Sequence, residues 1–319
     1  MSGRASSAGA DRPTAVATPC PLTGRVGAWT PARELRPRTR PVRQELVTDL
    51  DRCPFCDTAP DDERLVPGSV DLGAGHWFAM RNIYPPLADD TGRATLVVGP
   101  DHGPTLTHLH PGLELAWTSV LTLQQRLAGE AADRWSLLST AVGTSAGASQ
   151  QHPHGQVLTP RVVPPATVEL QRRLQDRAVL DVLWTEEHRV LDAHGLRLVA
   201  PPVPLGPDDL LLLPVEAQPL DALEPAAVAA VVVGWLRAVQ ELGARAGRSS
   251  ATVRSGSGQL HPAPVDSKVL LHKELPDGTG RWWAELQVTE AHAPGVAATP
   301  LVDVVYPPAA HAERFRGRC

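Results

Sequence analysis

Five consecutive residues near the middle of the chain form its strongest chemical pattern. They read His-Pro-His-Gly-Gln from His152 to Gln156. In a β-strand alternate side chains point to the same side, so His152, His154 and Gln156 would share one face. The small residues at 143–149 would let a phosphate approach the backbone. A histidine beside such a loop suggests nucleophilic attack on phosphorus, although His-Pro-His also occurs in exposed loops.

A second pattern is the Cys-x-x-Cys knuckle of Cys53 and Cys56. This spacing is typical of a tetrahedral metal site, which needs two further ligands. His152 is the natural third ligand, because strand alternation lets it point beside His154. His102 is a candidate for the fourth. A set of two cysteines and two histidines suits zinc, so the sequence predicts one structural zinc ion per chain.

Two alternatives to this ligand set stay open. A Cys-x-x-Cys pair can also be a redox pair, but that motif is expected in a βαβ context, which the sequence does not indicate. His108 and His110 would compete with His102 as ligands if the loop around them folds differently.

Arginines near the N-terminus form a candidate phosphate site. Arg33 and Arg36 lie three residues apart and are followed by the rigid Pro37. The guanidinium group binds phosphate oxygens in a bidentate manner and is always charged. Because a run of further arginines continues to residue 43, a solvated basic loop is the alternative.

Composition narrows the classes of partner. The 319 residues are 42% hydrophobic and 20% charged, which is ordinary for a globular protein of one or two domains. The net charge of -5 provides no basic field, so we expect no nucleic-acid partner. No apolar run reaches the roughly 18 residues of a membrane span. Four cysteines are few for a disulfide framework, so a reducing, cytoplasmic location is expected.

The pattern of elements predicts an α+β fold of two related halves, each an antiparallel sheet carrying helices. In the first half we expect strands at 77–84, 94–98, 131–142 and 156–159, with a helix at 106–129 that Pro111 can break. The second half repeats this order, with strands at 189–199, 209–214, 269–272 and 282–288 around a helix at 222–246. A Gln-Val pair recurs at 156–157 and 287–288. Residues 1–18 are expected to be a disordered tail.

Taken together, these segments resemble the galactose-1-phosphate uridylyltransferase family of the histidine-triad (HIT) superfamily, which includes ADP-glucose phosphorylases. The matching pieces keep the family's order over residues 20–160. They are Pro-Leu-Thr-Gly-Arg at 21–25, Arg33-x-x-Arg36-Pro37, the knuckle at 53–56, Arg-Asn-Ile-Tyr-Pro at 81–85, Pro-Asp-His at 100–102, Ala-Gly-Ala-Ser at 146–149 and the segment 152–156. The resemblance implies a HIT-like catalytic half with the zinc site at 19–185 and a degenerate HIT-like half at 186–319.

The resemblance also implies ping-pong transfer of a nucleoside monophosphate, most often UMP, between a nucleotide sugar and a phosphate acceptor. His154 would be the nucleophile, since a neutral imidazole is available near pH 7. Gln156 would bind a phosphate oxygen, and Ser149 with the backbone at Gly147 would stabilise developing charge. The remaining roles are phosphate binding by Arg33 and Arg36, nucleotide contact by Asn82, and structural zinc binding by Cys53, Cys56, His102 and His152. A homodimer is a further implication.

The sequence departs from the family at several positions. Ala141 stands where the family often has an asparagine that contacts the nucleotide phosphate. The segment 282–288 lacks the histidines of a second metal site, and the segment from Gly295 lacks the family's sugar-binding Phe and Glu. The residues expected to perform the transfer are therefore present, while the sequence does not identify the acceptor molecule. An ADP-glucose or dinucleotide phosphorylase and a non-catalytic zinc-stabilised binding protein are the alternatives. Hydrolytic relatives carry a third histidine where this chain has Gln156.

Overall fold

One antiparallel sheet of ten strands holds the central residues of the candidate site. The order across the sheet is β3-β4-β5-β7-β6-β13-β14-β10-β9-β8. The first five strands are β3 (Leu65–Asp71), β4 (His76–Arg81), β5 (Gly92–Val98), β6 (Leu137–Val142) and β7 (His154–Pro160). The other five are β8 (Arg189–Ala193), β9 (Leu196–Val199), β10 (Leu210–Pro214), β13 (Ser267–His272) and β14 (Trp283–Val288).

The structure is a computed structural model of the chain, and it describes most of residues 53–319 and short pieces before them. The described residues are 16–19, 21, 26–29, 53–56, 65–71, 75–82, 87, 92–103, 105–143, 146–148, 150, 152–204, 208–245, 252–254, 260–262, 264–288, 301–304 and 308–319.

The order of strands is the same in both halves when each is read from its outer edge inward. A hairpin comes first, then a third strand, and then the last two strands of the half in reversed order. The halves join where β6 pairs with β13, with Ser139 opposite Leu270. This architecture confirms the predicted α+β fold of antiparallel strands and helices, with the two expected sheets fused into one. The boundary at residues 185 and 186 stays a prediction.

Two helices cover one face of the sheet, here called the helix face. They are α1 (Leu113–Gly129) and α4 (Pro225–Arg245). Trp117 of α1 and Trp235 of α4 are fully buried in the core, with Leu138 and Leu286 of the sheet below them. The predicted break is observed, since residues 105–112 form turns and α1 begins only after Pro111. Proline lacks the N–H of a helix interior but is tolerated at a helix start.

Helix α4 is apolar enough over Pro225–Gly243 to cross a membrane by length and composition, with a mean hydropathy of 1.4. The segment is not an uninterrupted apolar run, because it contains Arg237. In the fold, 67% of the segment is buried inside the protein, where it packs on α1 and the sheet. A helix that is buried in a protein core can be as long and as apolar as a membrane span, so length and hydropathy alone do not distinguish the two.

The opposite face of the sheet is here called the site face, and it differs between the halves. In the second half two helices cover it, α2 (Pro165–Gln175) and α3 (Arg177–Leu183). They pack on Leu211, Leu213 and Trp283 of the sheet. In the first half the same face carries His154 and Gln156, which are half-buried. The halves therefore share a topology but use this face differently.

Several elements differ from the sequence expectation. The strand expected at 189–199 is a hairpin of β8 and β9, which turns at His194 and Gly195 with φ angles of 55° and 72°. Two positive φ angles are typical of the type I′ turn that suits a two-residue hairpin. Strand β3 and the helices α2 and α3 were not predicted.

Smaller elements complete the described part of the chain. They are β1 (Val16–Pro19), β2 (Val26–Trp29), β11 (Thr252–Arg254), β12 (Leu260–Pro262), β15 (Leu301–Val304) and α5 (Pro308–Phe315). Strands β1, β2 and β15 form a separate three-stranded sheet. The end of the predicted disordered tail thus lies in strand β1, and residues 1–15 lie outside the described residues.

Candidate functional site

Strand β7 places His154 and Gln156 side by side on the site face. It lies between β5 and β6, with His154 opposite Val98 and Gln156 opposite both Leu96 and Ser139. The alternate residues of β7, from Gly155 to Thr159, are buried on the helix face. The period of two in the strand therefore separates the polar pair from the core.

Gly155 between them allows close packing of the helix face. A Cβ atom at this position would lie 2.5 Å from Nε2 of Gln124 and 2.7 Å from Oγ1 of Thr140. Gln124 of α1 donates hydrogen bonds to Thr140 Oγ1 at 3.1 Å and to the Ser139 carbonyl at 3.4 Å. Because this contact leaves no room for a side chain, the glycine lets β7 lie directly beneath α1. Gln124 is a supporting residue that no pattern in the sequence indicated.

A backbone hydrogen bond selects the tautomer of His154. Its Nδ1 lies 2.8 Å from the carbonyl oxygen of His152. A carbonyl only accepts hydrogen bonds, so Nδ1 carries the proton and Nε2 keeps its lone pair. Burial lowers the pKa of His154, and the bond to the carbonyl opposes that shift in part. The ring is therefore held neutral, with Nε2 as its nucleophilic atom.

The four predicted metal ligands come together at the start of β7. The ligand atoms of Cys53, Cys56, His102 and His152 all lie within 4.8 Å of one another. His152 Nδ1 is 3.7 Å from Cys53 Sγ and 3.5 Å from Cys56 Sγ. His102 Nδ1 is 3.5 Å from Cys56 Sγ. The cluster is therefore one that could hold a metal ion.

These distances match a tetrahedral zinc site. With Zn–S near 2.3 Å and Zn–N near 2.0 Å, tetrahedral geometry gives an S···N separation of about 3.5 Å. His152 Nε2 lies 2.9 Å from the Gly99 carbonyl, so Nε2 is the protonated nitrogen and Nδ1 is free to bind metal. The competing residue His110 instead accepts a hydrogen bond from the Gly112 amide through its Nδ1. Neither His108 nor His110 belongs to the cluster.

Phe55 connects the knuckle to the reactive histidine. Its ring centroid lies 5.5 Å from that of His152 and 5.4 Å from that of His154. The knuckle therefore forms part of the wall beside His154. This role was not predicted, although an aromatic residue between the two cysteines was a visible signal.

The glycine-rich segment leaves the end of β6 and approaches β7. The amides of Ala146 and Ala148 both donate to the Gly143 carbonyl at 3.2 Å, which forms a tight turn. Gly147 at the tip is exposed and has a φ angle of 90°. Ser149 lies outside the described residues, as do Arg33 and Arg36, so their predicted roles stay predictions.

Asn82 lies on the site face, farther from His154 than Gln156 is. It follows β4, and its amide donates to the Ala94 carbonyl at 3.3 Å. Because Ala94 is opposite Leu158, Asn82 lies two strands from β7, in the row of Leu158, which is two residues beyond Gln156. The predicted nucleotide contact would require a ligand that extends from His154 across this part of the face.

No protein-family model matches the sequence, and no curated protein matches it either. Solved structures do resemble the fold. An ADP-glucose phosphorylase from Arabidopsis thaliana, solved with bound ADP-glucose, has a TM-score of 0.70 and 16% sequence identity, with 96% of this chain and 99% of that one covered. A GalT-like protein from Arabidopsis thaliana has the same TM-score and identity, with 96% of this chain and 100% of that one covered.

A uridylyltransferase structure is also similar, with a TM-score of 0.61 and 19% identity over 96% of this chain and 98% of that one. The resemblance inferred from the ordered motifs is confirmed at the level of the fold. Since the identities are low, the likeness establishes the fold and leaves the activity to be argued from the site.

Proposed function

We propose that the protein is a nucleotidyltransferase that works through a covalent nucleotidyl-His154 intermediate. The observation that supports this most directly is the hydrogen bond from His154 Nδ1 to the His152 carbonyl, which leaves a neutral Nε2 beside Gln156. In the first step Nε2 attacks the α-phosphorus of a nucleotide sugar. An N–P bond forms, the bond from that phosphorus to its bridging oxygen breaks, and the sugar phosphate leaves with the oxygen.

In the second step an acceptor phosphate oxygen attacks the same phosphorus and the N–P bond breaks. The electron pair returns to Nε2, while the proton stays on Nδ1 and donates its hydrogen bond to the His152 carbonyl throughout. That hydrogen bond also stabilises the positive charge of the phosphorylated ring. Two displacements with a good leaving group thus replace one difficult transfer.

Other residues would stabilise the phosphates. Gln156 on the same face of β7 would donate an amide hydrogen bond to a non-bridging oxygen. The exposed turn at Gly147 offers backbone amides, and Ser149 would add a hydroxyl. Arg33 and Arg36 would bind the leaving or incoming phosphate, with Asn82 toward the nucleoside.

Zinc is the metal that suits the four-ligand cluster. Cys53, Cys56, His102 and His152 would hold it, and four protein ligands leave no position for substrate. When bound, the ion supplies structural cross-linking of the knuckle to the strand. The chemical consequence for this chain is that His152, whose carbonyl orients His154, is held at both its ring and its backbone.

The donor is proposed to be a UDP-sugar, with a sugar phosphate as acceptor and a homodimer as the active form. An ADP-glucose phosphorylase is the second candidate, in which inorganic phosphate is the acceptor. It is suggested by the ADP-glucose phosphorylase from Arabidopsis thaliana, which shares the fold with a TM-score of 0.70. Both candidates use the same first step and differ in the nucleotide and acceptor.

The test is covalent labelling with UDP-glucose and ADP-glucose carrying ³²P at the α-phosphorus. We expect an acid-labile, base-stable adduct on the wild type, none on His154→Ala, and its release by a sugar phosphate or by inorganic phosphate. The nucleotide that labels faster distinguishes the two candidates. If neither nucleotide sugar labels the wild type above His154→Ala, the protein is not an enzyme of this kind and a non-catalytic binding role would replace it.

A further inference from the structure

The chain contains two lysines, and the fold accounts for one of them. Lys273 is buried, and its Nζ lies 3.2–3.5 Å from the carbonyl oxygens of Ala128, Ala131, Ala132 and Arg134 at the end of α1. A compact ammonium suits this convergence of carbonyls, of which that of Ala128 belongs to the negative end of the helix dipole. Lys268 has no ion pair or hydrogen bond with the residues that the structure describes.

Lys268 lies on the site face in the same row as His154. The strand β13 pairs with β6 so that Lys268 is directly opposite Ala141. Strand β6 pairs with β7 so that Thr140 is opposite Gly155, and one further step brings Ala141 opposite His154. The neighbours Thr140, Gly155 and Val269 are buried toward the helix face. His154, Ala141 and Lys268 therefore share the site face.

The row leaves an open path between the ammonium and the reactive ring. Neighbouring strands are about 4.8 Å apart, so the Cα atoms of Lys268 and His154 are separated by about 10 Å. Within this row of described residues, Ala141 alone lies between them, and its side chain is a single methyl group. A lysine stem reaches about 6 Å from its Cα. The remaining gap, between the Lys268 ammonium and the His154 backbone, is about the length of one hydrogen bond to a phosphoryl oxygen.

Two described acids close to Lys268 in the chain or in the sheet, Asp266 and Glu285, have contacts of their own. On the adjacent strand, Glu285 accepts a hydrogen bond from Gln287 Nε2 at 2.6 Å, and its other oxygen lies 3.3 Å from His272 Nε2. The Asp266 carboxylate lies against Gly143, at the start of the glycine-rich segment. The half-buried ammonium of Lys268 is therefore left without a carboxylate partner in the described part of the chain.

We propose that Lys268 is a substrate-binding residue whose ammonium contacts the phosphate that reacts with His154 of the same chain. This inference rests on the proposed function and deepens it, since it assigns a residue of the second half to the site in the first half. The ligand chemistry is a nucleotide phosphate, and the cation supplies the charge that the small Ala141 cannot. Lysine is a common phosphate ligand and acts as a point charge.

The experiment compares Lys268→Met and Lys268→Arg with the wild type in two measurements. The first is the rate of His154 labelling by the two ³²P nucleotide sugars over a range of concentrations. The second is calorimetric binding of UMP and AMP, which needs no transfer. We expect Lys268→Met to lower the labelling efficiency and the nucleotide affinity about tenfold, and Lys268→Arg to restore part of each.

Arg237→Met is the matched control, because Arg237 is exposed on α4 and its loss removes one positive charge from the opposite side of the sheet. Metal content and melting temperature should be equal in all variants. Labelling and binding within twofold of the wild type in Lys268→Met would overturn the proposal. A wild type that is not labelled, yet loses nucleotide affinity on Lys268→Met, would keep Lys268 as a binding residue and refute the transferase.

Discussion

The hydrogen bond between His154 and the preceding His152 shows how a backbone carbonyl decides a side chain's chemistry. The two histidines are equivalent in sequence, but their rings are protonated on opposite nitrogens. His154 carries its proton on Nδ1 because of the His152 carbonyl, while His152 carries its proton on Nε2 because of the Gly99 carbonyl. One ring therefore offers Nε2 to the site face and the other offers Nδ1 to the two cysteines.

The ring of Phe55 is expected to keep the His154 ring in position for attack. In Phe55→Leu the apolar surface remains, but the ring contacts to His152 and His154 are lost. Aromatic pairs contribute about 0.5–1.5 kcal/mol, so the maximal rate of labelling should fall about 2- to 12-fold. The substrate concentration that gives half of that rate should be unchanged.

Phe55→Tyr serves as the control, since it keeps the ring and should retain the wild-type labelling rate. Metal content, measured in parallel, should be the same in both variants. Loss of metal in Phe55→Leu would mean that the ring acts on the knuckle alone, and this would contradict a positioning role for Phe55.

Among the elements, the knuckle and strand β7 are linked through His152. This residue comes directly before β7 and provides a ligand atom to the metal cluster. Its partners belong to distant segments, since Cys53 is 99 residues earlier in the chain. A bound metal would cross-link these segments and limit the freedom of the unfolded chain as well as fixing the start of β7.

We expect Cys53→Ser to lower both the zinc content and the melting temperature. Wild-type protein should contain about one zinc per chain by elemental analysis, and the variant much less. Each 1 kcal/mol of lost stability should lower the melting temperature by about 1.5 °C in a chain of this size, because the entropy of unfolding is about 2.1 cal/mol/K per residue. Cys319→Ser is the control, because Cys319 lies outside the cluster. A wild type that is fully stable without metal would exclude a structural zinc site.

At the scale of the whole molecule, the two halves of the sheet use the site face differently. Helices α2 and α3, which precede the second half in the chain, cover the site face of its strands with apolar contacts to Trp283 and Leu213. Over the strands of the first half, the same face carries the half-buried His154. The C-terminal helix α5 buries His311 beside Phe315. Burial, followed by repulsion from Arg314, lowers the pKa of His311 to about 3, while Asp208 acts in the opposite direction and His188 in the same one.

This buried histidine should make the protein sensitive to mild acid. The unfolded chain binds a proton at His311 below pH 6.5, whereas the folded protein does not until about pH 3. The stability from this residue is complete above pH 6.5, and it is lost at about 1.4 kcal/mol per pH unit as the pH falls toward 3. In His311→Phe, urea unfolding between pH 7.5 and 4.5 should show a correspondingly smaller loss of stability.

His194→Asn is the matched control, since His194 is exposed in the turn between β8 and β9 and its removal should leave the slope unchanged. Equal slopes for the wild type and His311→Phe would contradict the predicted link between burial of His311 and acid sensitivity.

The fold class and most of the candidate site were predictable from sequence because their signals are local. The period-two pattern around Gln156 indicates a strand, the cysteine spacing indicates a metal knuckle, and Pro111 marks the start of α1. The His-Gly pair at 194 and 195 is also a local signal for a turn, but the apolar pattern of 189–199 predicts a single strand that runs through it. The short, polar helix α2 was missed because few of its residues are buried.

The types of reactive group and their order along the chain were thus determined by the sequence itself. Only the tertiary structure decided which of them meet. The choice of His102 over His108 and His110 depends on the path of a loop, and the row that joins Lys268 to His154 depends on the register of three strands. Register and loop path are set by packing between distant segments, so residues more than 100 positions apart become neighbours without any local signal.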